Sequence, residues 1–223
     1  MEEQIAFEKS IEEGNLTKAK VIDMSIDHLT KLLGGLYNVI DDSIVGLKNE
    51  DLKQLNASYK KFMSIEKRAD KLKLSTGNAL DKIDDEEMES GHLYILVVEY
   101  LNEMCVHARN VIKPSLSHID NNHKPLLDEQ TDELLELSKL LKENLISTIT
   151  VFKTLDSEDV NKSLDLSVQY VKSIRSARKA QIKRVKNHEI GTRNSLLFLN
   201  FLGEFRNLAI FSDRLVRVCN DLI

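Results

Sequence analysis

The chain has 223 residues, 30 % of them charged, with two prolines, eight glycines, no tryptophan and a formal net charge of −5. That length can bury a sizeable core in one large or two small domains, and the scarcity of Pro and Gly amid Leu, Lys, Glu, Ile and Asp describes an all-helical protein. The acidic balance gives no reason to expect nucleic acid, and no window offers the ~18 to 20 uninterrupted apolar residues of a membrane span.

In chain order, residues 1–16 form an acidic lead-in, MEEQIAFEKSIEEGNL, without the apolar h-region of a signal peptide. A first helix is predicted from Thr17 to Leu47, with Val21, Met24, Leu29, Leu32, Leu36, Val39, Ile40 and Ile44 at 3- and 4-residue steps. Gly34-Gly35 in its middle costs helix propensity and points to close packing. Asn49-Glu50-Asp51 starts a second helix, ending near Ile83, and the acidic link DDEEMES leads to a third from Gly91 to about His118. Pro114 is expected to kink its last turns or end them early.

The turn-rich stretch HIDNNHKP is the linker, and the pattern restarts beyond it. A fourth helix covers Asp128 to Thr154, a fifth runs to about Asn187, and a sixth fills the chain to Leu222. The sixth, from Leu196 to Leu222, is too apolar for a one-stripe surface helix, so neighbours should wrap it on most sides. Through it runs a polar seam, Asn200, Glu204, Asn207 and Arg214, that needs partners. Cys105 and Cys219 both lie in apolar helical runs and read as small core residues of a reducing compartment.

The restart is an internal repeat. LKNEDLKQL from Leu47 matches LDSEDVNKSL from Leu155, and EYLNEMCVHARNV from Glu99 matches EFRNLAIFSDRLV from Glu204. The second match lays Glu99 on Glu204, Asn102 on Asn207, Arg109 on Arg214 and Val111 on Val216. The predicted architecture is all-α: two tandem three-helix bundles of six long antiparallel helices, residues 17–120 and 127–223, joined by a linker at 121–126.

With a glutamate amid apolar residues on the third helix of each bundle, the chain resembles the PhoU family of phosphate-uptake regulators. HLYILVVEYLNEM, HIDNNHKPLL and QIKRVKNHEIGTRNSLLFLNFLGEFRNL carry a closer likeness to the PhoU-like C-terminal domain of PiT-type (inorganic phosphate transporter) proteins of Bacteroides-like bacteria. The resemblance covers nearly everything from Thr17 onward. It implies a non-catalytic regulatory domain at the cytoplasmic face of the plasma membrane, part of a longer membrane protein whose membrane part it binds. A transporter dimer would bring two such domains together.

PhoU proteins hold metal through E(D)xxxD motifs on the second and third helices of a bundle. Carboxylates at i and i+4 share one helix face, and two such faces make an oxygen-rich cage. The resemblance implies one such set here, Glu66 and Asp70 with Glu99 and Glu103, His107 one turn further, for a divalent or iron-type metal. The bland alternative leaves Glu66 and Asp70 on a solvated face beside Lys67, Arg68 and Lys71. In the second bundle Arg175 and Lys179 stand opposite the first pair and Leu208 opposite Glu103, so Glu204 is expected to pair with Arg175 or Lys179. His118 and His123, flanking the linker, read as structural rather than as ligands.

KSIRSARKAQIKRVKNH carries Lys172, Arg175, Arg178, Lys179, Lys183, Arg184 and Lys186 with no acid between them. It reads either as a solvated face with partners for Glu204 or as a contact surface. In the second reading Lys172, Lys183, Arg184 and Lys186 meet anionic lipid, transporter loops or phosphate. No Gly-rich phosphate loop, HExxH, GxSxG or CxxC is present, and neither cysteine has an activating neighbour, which argues against an enzyme. The competing class is a free-standing adaptor that binds a protein partner such as a histidine kinase.

Overall fold

The computed structural model describes residues 17–79, 85 and 88–222, and each secondary-structure element among them is helical. Helix α1 is Lys18–Lys48, α2 Leu52–Ala79, α3 Met88–Asp120, α4 Asp128–Thr154, α5 Ser157–Lys186 and α6 Thr192–Leu222. The all-α class with six long helices is therefore as predicted. The lead-in at 1–16 and the predicted last turn of the second helix lie outside the described residues.

Caps set the helix starts. The Thr17 hydroxyl accepts from the Lys20 amide at 3.3 Å, and Asp51 Oδ1 accepts from the Gln54 amide at 2.9 Å. Asp156 Oδ1 does the same for the Glu158 amide at 2.6 Å. Left-handed residues, Glu50 and Leu155, immediately precede Asp51 and Asp156. The same device thus opens the second helix of each bundle, and it corrects the register of the repeat. Letter matching laid Asp51 on Asp159, whereas the caps lay it on Asp156. Buried positions then coincide along both helices: Leu55 with Val160, Ser58 with Ser163, Ala69 with Ile174 and Leu72 with Ala177. In this register Glu66 falls on Val171 and Asp70 on Arg175, one turn from the expected match.

Helix α1 packs on α2 and α3, and α4 packs on α5 and α6. The bundles join through α1 against α4 and α3 against α6. The first junction is antiparallel: Lys142 lies over the Tyr37 ring at 5.1 Å, Ser138 donates to Asp41 at 2.9 Å, and Lys48 pairs with Asp132. Because α1 and α3 each meet their own repeat counterpart head to tail, the halves are related by an approximate two-fold axis. Four helices, α1, α3, α4 and α6, therefore sit centrally, and α2 and α5 flank them. One continuous apolar core runs through all six, from Leu29 and Leu36 to Phe152, Phe201 and Phe205. The inner helices carry the wide apolar faces because they have more neighbours to meet.

Pro114 does not end α3, which continues to Asp120. The carbonyl left without its helical donor is that of Asn110, an exposed residue that water can serve, while buried Ser115 and His118 hold the last turns on the core. Beyond it, the linker is pinned to the start of α6. His118 Nε2 donates to the Lys124 carbonyl at 2.8 Å, and the Asn194 amide donates to the Lys124 and Pro125 carbonyls at 3.2 and 2.7 Å. The His118 and His123 rings meet edge-on at 5.4 Å, with Arg193 2.6 Å from His123 Nδ1. Burial, foremost, together with the nearby His123 and Arg193, lowers the His118 pKa below its ordinary 6.5 despite the bond to Lys124 and the charge of Glu50.

Two measurements check these features. A methyl group at Gly35 would come 2.8 Å from Ile65 Cδ1, whereas one at Gly34 would meet nothing within 4 Å. Gly34→Ala should therefore raise unfolding stability by about 0.5–1 kcal/mol, with Gly35→Ala gaining less because Ile65 must move. His118 binds its proton less tightly folded than unfolded, so its contribution is complete above pH 6.5 and is lost as pH falls from 6.5 toward the lower folded value. Denaturant midpoints measured across that window should drop more steeply for the parent chain than for His118→Asn.

Candidate functional site

The polar groups that α3 and α6 carry into the core divide between two places. On the side of α3 that faces α2, Arg109 reaches Glu66: its Nε donates to Oε1 at 2.6 Å and Nη2 contacts the same oxygen. Glu66 is only 7 % exposed, so the guanidinium neutralises a carboxylate that could not be left alone there. Two turns before Arg109 on α3, Asn102 donates to the Ala69 carbonyl of α2 at 3.2 Å and to Val98 at 2.9 Å, linking the two helices. The Cys105 thiol lies on this side too. Burial, then the charges of Glu66 and Asp70, push it up to about 12 against the opposing Arg109. Cys219 is pushed up to about 12 by burial and donates to the Val151 carbonyl at 3.6 Å. Both cysteines are buried free thiols, protonated at neutral pH and inert as nucleophiles.

On the side of α3 that faces α6, His107 Nδ1 lies 2.7 Å from Glu204 Oε2, with side-chain exposures of 15 % and 19 %. An ionised carboxylate can only accept, which places the proton on Nδ1. The Asn207 amide lies 3.4 Å from the same nitrogen, and the Phe211 ring packs on the imidazole at 5.4 Å between centroids. Arg214 closes the seam, its guanidinium 4.8 Å over Phe211 and 5.7 Å over Tyr100. The dyad therefore bridges the two bundles at their junction.

This partner corrects the expectation for Glu204. Arg175 and Lys179 are exposed on α5, and the carboxylate is met from the other bundle instead. Glu204 points across the two-fold junction, a direction that one helix's periodicity does not contain. His107 was visible in the sequence as the residue one turn beyond Glu103; what was missing was that this face of α3 looks at α6. The site also occurs once. Under the two-fold relation the counterparts of His107 and Glu204 are Ser212 and Glu99, but Ser212 shares a 2.6 Å hydrogen bond with Thr148 and Glu99 is exposed.

The four carboxylates expected as a metal cage do not converge. Glu66 is closed off by Arg109, while Asp70, Glu99 and Glu103 are exposed. Among the described residues no three His, Cys, Asp or Glu side chains are grouped to hold a metal ion. A cation at Glu66 would have to displace a guanidinium that already satisfies it, so this arrangement does not fit a metal centre built on that residue.

Of the expected surface cations, Lys172, Lys183 and Lys186 are exposed on α5. Arg184 is not among them. Its guanidinium grips both oxygens of Glu133, donates to Gln181 Oε1 at 3.3 Å and lies 5.9 Å from the Phe198 ring centre, leaving 12 % of its side chain exposed. It ties α5 to α4 and α6, where its long stem fills apolar space.

Two antiparallel three-helix bundles, merged through like helices about an approximate two-fold, define the class: this is the PhoU-like fold. The crystal structure of the phosphate transport system regulatory protein PhoU from Streptococcus pneumoniae matches with a TM-score of 0.72 at 14 % identity, covering 92 % of this chain and 96 % of that one. PhoU from Pseudomonas aeruginosa matches with a TM-score of 0.71 at 10 % identity, covering 92 % and 98 %. No protein-family model matches the chain, and no curated protein matches it in sequence.

The dyad is open to a direct test. Removing the imidazole leaves a mostly buried carboxylate without its partner, so His107→Ala should cost about 1–3 kcal/mol in chemical unfolding. Glu204→Gln in the same chain should restore part of the loss. Arg175→Ala and Lys179→Ala, at exposed positions, should stay within about 0.5 kcal/mol of the parent. A large loss from Arg175→Ala with none from His107→Ala would contradict the assignment of Glu204.

Proposed function

We propose that this chain is a non-catalytic regulatory domain that controls inorganic phosphate uptake, acting at the cytoplasmic face of the membrane by binding the membrane part of a PiT-type phosphate transporter. The observation that carries the reading is the match, over nearly the whole described chain, to a protein that regulates a phosphate transport system. Chemistry within the chain supports a binding role over catalysis. Cys105 and Cys219 are held protonated in the core, and the buried Ser212 hydroxyl of α6 is committed to Thr148. The His107–Glu204 dyad has a general base's geometry but lies where the bundles meet, a position suited to holding their relative orientation.

Uptake of radiolabelled phosphate by cells lacking this domain tests the reading. Loss of the domain should change the uptake rate at saturating phosphate at least severalfold, and the tagged chain should co-purify with the transporter's membrane part in mild detergent. Unchanged uptake would end the proposal. Altered phosphate-responsive gene expression with unchanged transport, accompanied by capture of a histidine kinase, would replace it with the adaptor reading.

A further inference from the structure

The outward face of α5 is basic over its last two thirds. Its acids, Glu158, Asp159 and Asp165, all lie in its first third, and none follows before Glu189. Lys172, Arg175, Lys179, Lys183 and Lys186 are all exposed. At 100° per residue they fall within about 80° of arc and extend over about 20 Å of helix. The ion pairs that α5 makes among the described residues run through Lys162 and Arg184 instead, so these five charges have no acidic partner there. A chain of net charge −5 thus concentrates on one stripe five cations without an acidic partner among the described residues. Two large exposed aliphatic side chains adjoin the stripe: Val168, 51 % exposed, one turn before Lys172, and Ile182, 58 % exposed, about 20° beyond the edge of the arc.

The form of the face narrows its partner. The adjoining cavity between α4 and α5 is lined by Glu133, Glu136, Ser173 and Ser176, with no cation in its lining to hold an anion, and lies beside the stripe, not under it. Among the described residues, the cavity beside this surface is therefore not of the kind that seats a small anion. No aromatic side chain lies on the arc to stack on bases, as single-stranded nucleic acid would need. Four of the five cations are lysines, flexible and strongly hydrated point charges that suit mobile headgroups better than the fixed forks of a protein carboxylate cluster. Cations in a row with aliphatic side chains beside them, on a helix lying flat, match what an anionic bilayer surface binds. Being a flanking helix, α5 leaves this face clear of the rest of the fold.

We propose that the Lys172–Lys186 face of α5 is a membrane-docking surface, its five cations resting on anionic lipid headgroups and Ile182 and Val168 entering the headgroup boundary. The inference stands on this face alone and does not depend on control of phosphate uptake. The test uses the full chain in flotation with vesicles of phosphatidylcholine alone or of phosphatidylcholine mixed with phosphatidylglycerol. Binding to the mixed vesicles alone, falling steeply as salt rises, is expected. Each cation lost should weaken partition about fivefold, so Lys179→Glu/Lys183→Glu/Lys186→Glu should reduce it at least about 100-fold with an unchanged thermal midpoint. Ile182→Ser should remove the salt-resistant remainder severalfold. The proposal is overturned if the parent ignores phosphatidylglycerol at low salt, if neutral vesicles bind it equally, or if the triple variant binds like the parent. Loss of capture of the transporter's detergent-solubilised membrane part by the triple variant, without vesicle binding by the parent, would likewise overturn it and assign the stripe to a protein. Vesicle binding with unaltered phosphate uptake would leave this inference standing and remove only the functional reading above.

Discussion

The packing of like helix on like helix, α1 on α4 and α3 on α6, is the constraint from which the rest follows. A three-helix bundle can bury one face of each of its helices by itself. Here four of the six helices carry apolar residues beyond that face, and only a second bundle can cover them. Leu29, Leu36, Phe201 and Phe205 belong to one core for this reason. The two halves need each other for burial in the way that neighbouring repeats of larger arrays do.

Merging the halves determines how each buried charge is met. A carboxylate near an apolar helix surface must find a cation or a donor within reach, since leaving it alone costs several kcal/mol. Glu66 and Glu204 reach different solutions. The first is neutralised within its bundle by Arg109, and the second accepts from His107 across the junction. Arg214, the repeat counterpart of Arg109, has no buried acid to meet, because Val171 stands where Glu66 stands in the first bundle. It turns instead to the faces of Tyr100 and Phe211. The repeat is thus symmetric in its backbone and asymmetric in its polar chemistry. The junction contains one dyad, not two.

The basic stripe lies outside this core. Among the described residues Lys172, Arg175, Lys179, Lys183 and Lys186 make no ion pair, whereas Arg184, embedded in the same basic run, serves α4 and α6. One stretch of sequence therefore divides between scaffold and surface according to angle about the helix axis. Composition treats all seven of its basic residues alike.

The six helices, the starts of the first two at Thr17 and Asp51, the burial of both cysteines and the existence of a repeat were determined by the sequence alone. Periodicity and capping are local properties, written within a few turns of chain. Tertiary structure decided what those properties leave open. Whether Pro114 ends a helix depended on the solvent at Asn110 and on the core that holds the turns beyond it. The repeat register depended on which aspartate captures the free amides, a matter of geometry that similarity of letters misses. Above all, Glu204 found its partner in a helix roughly a hundred residues away in sequence, because side-chain direction is set within a helix but its neighbours are set by packing.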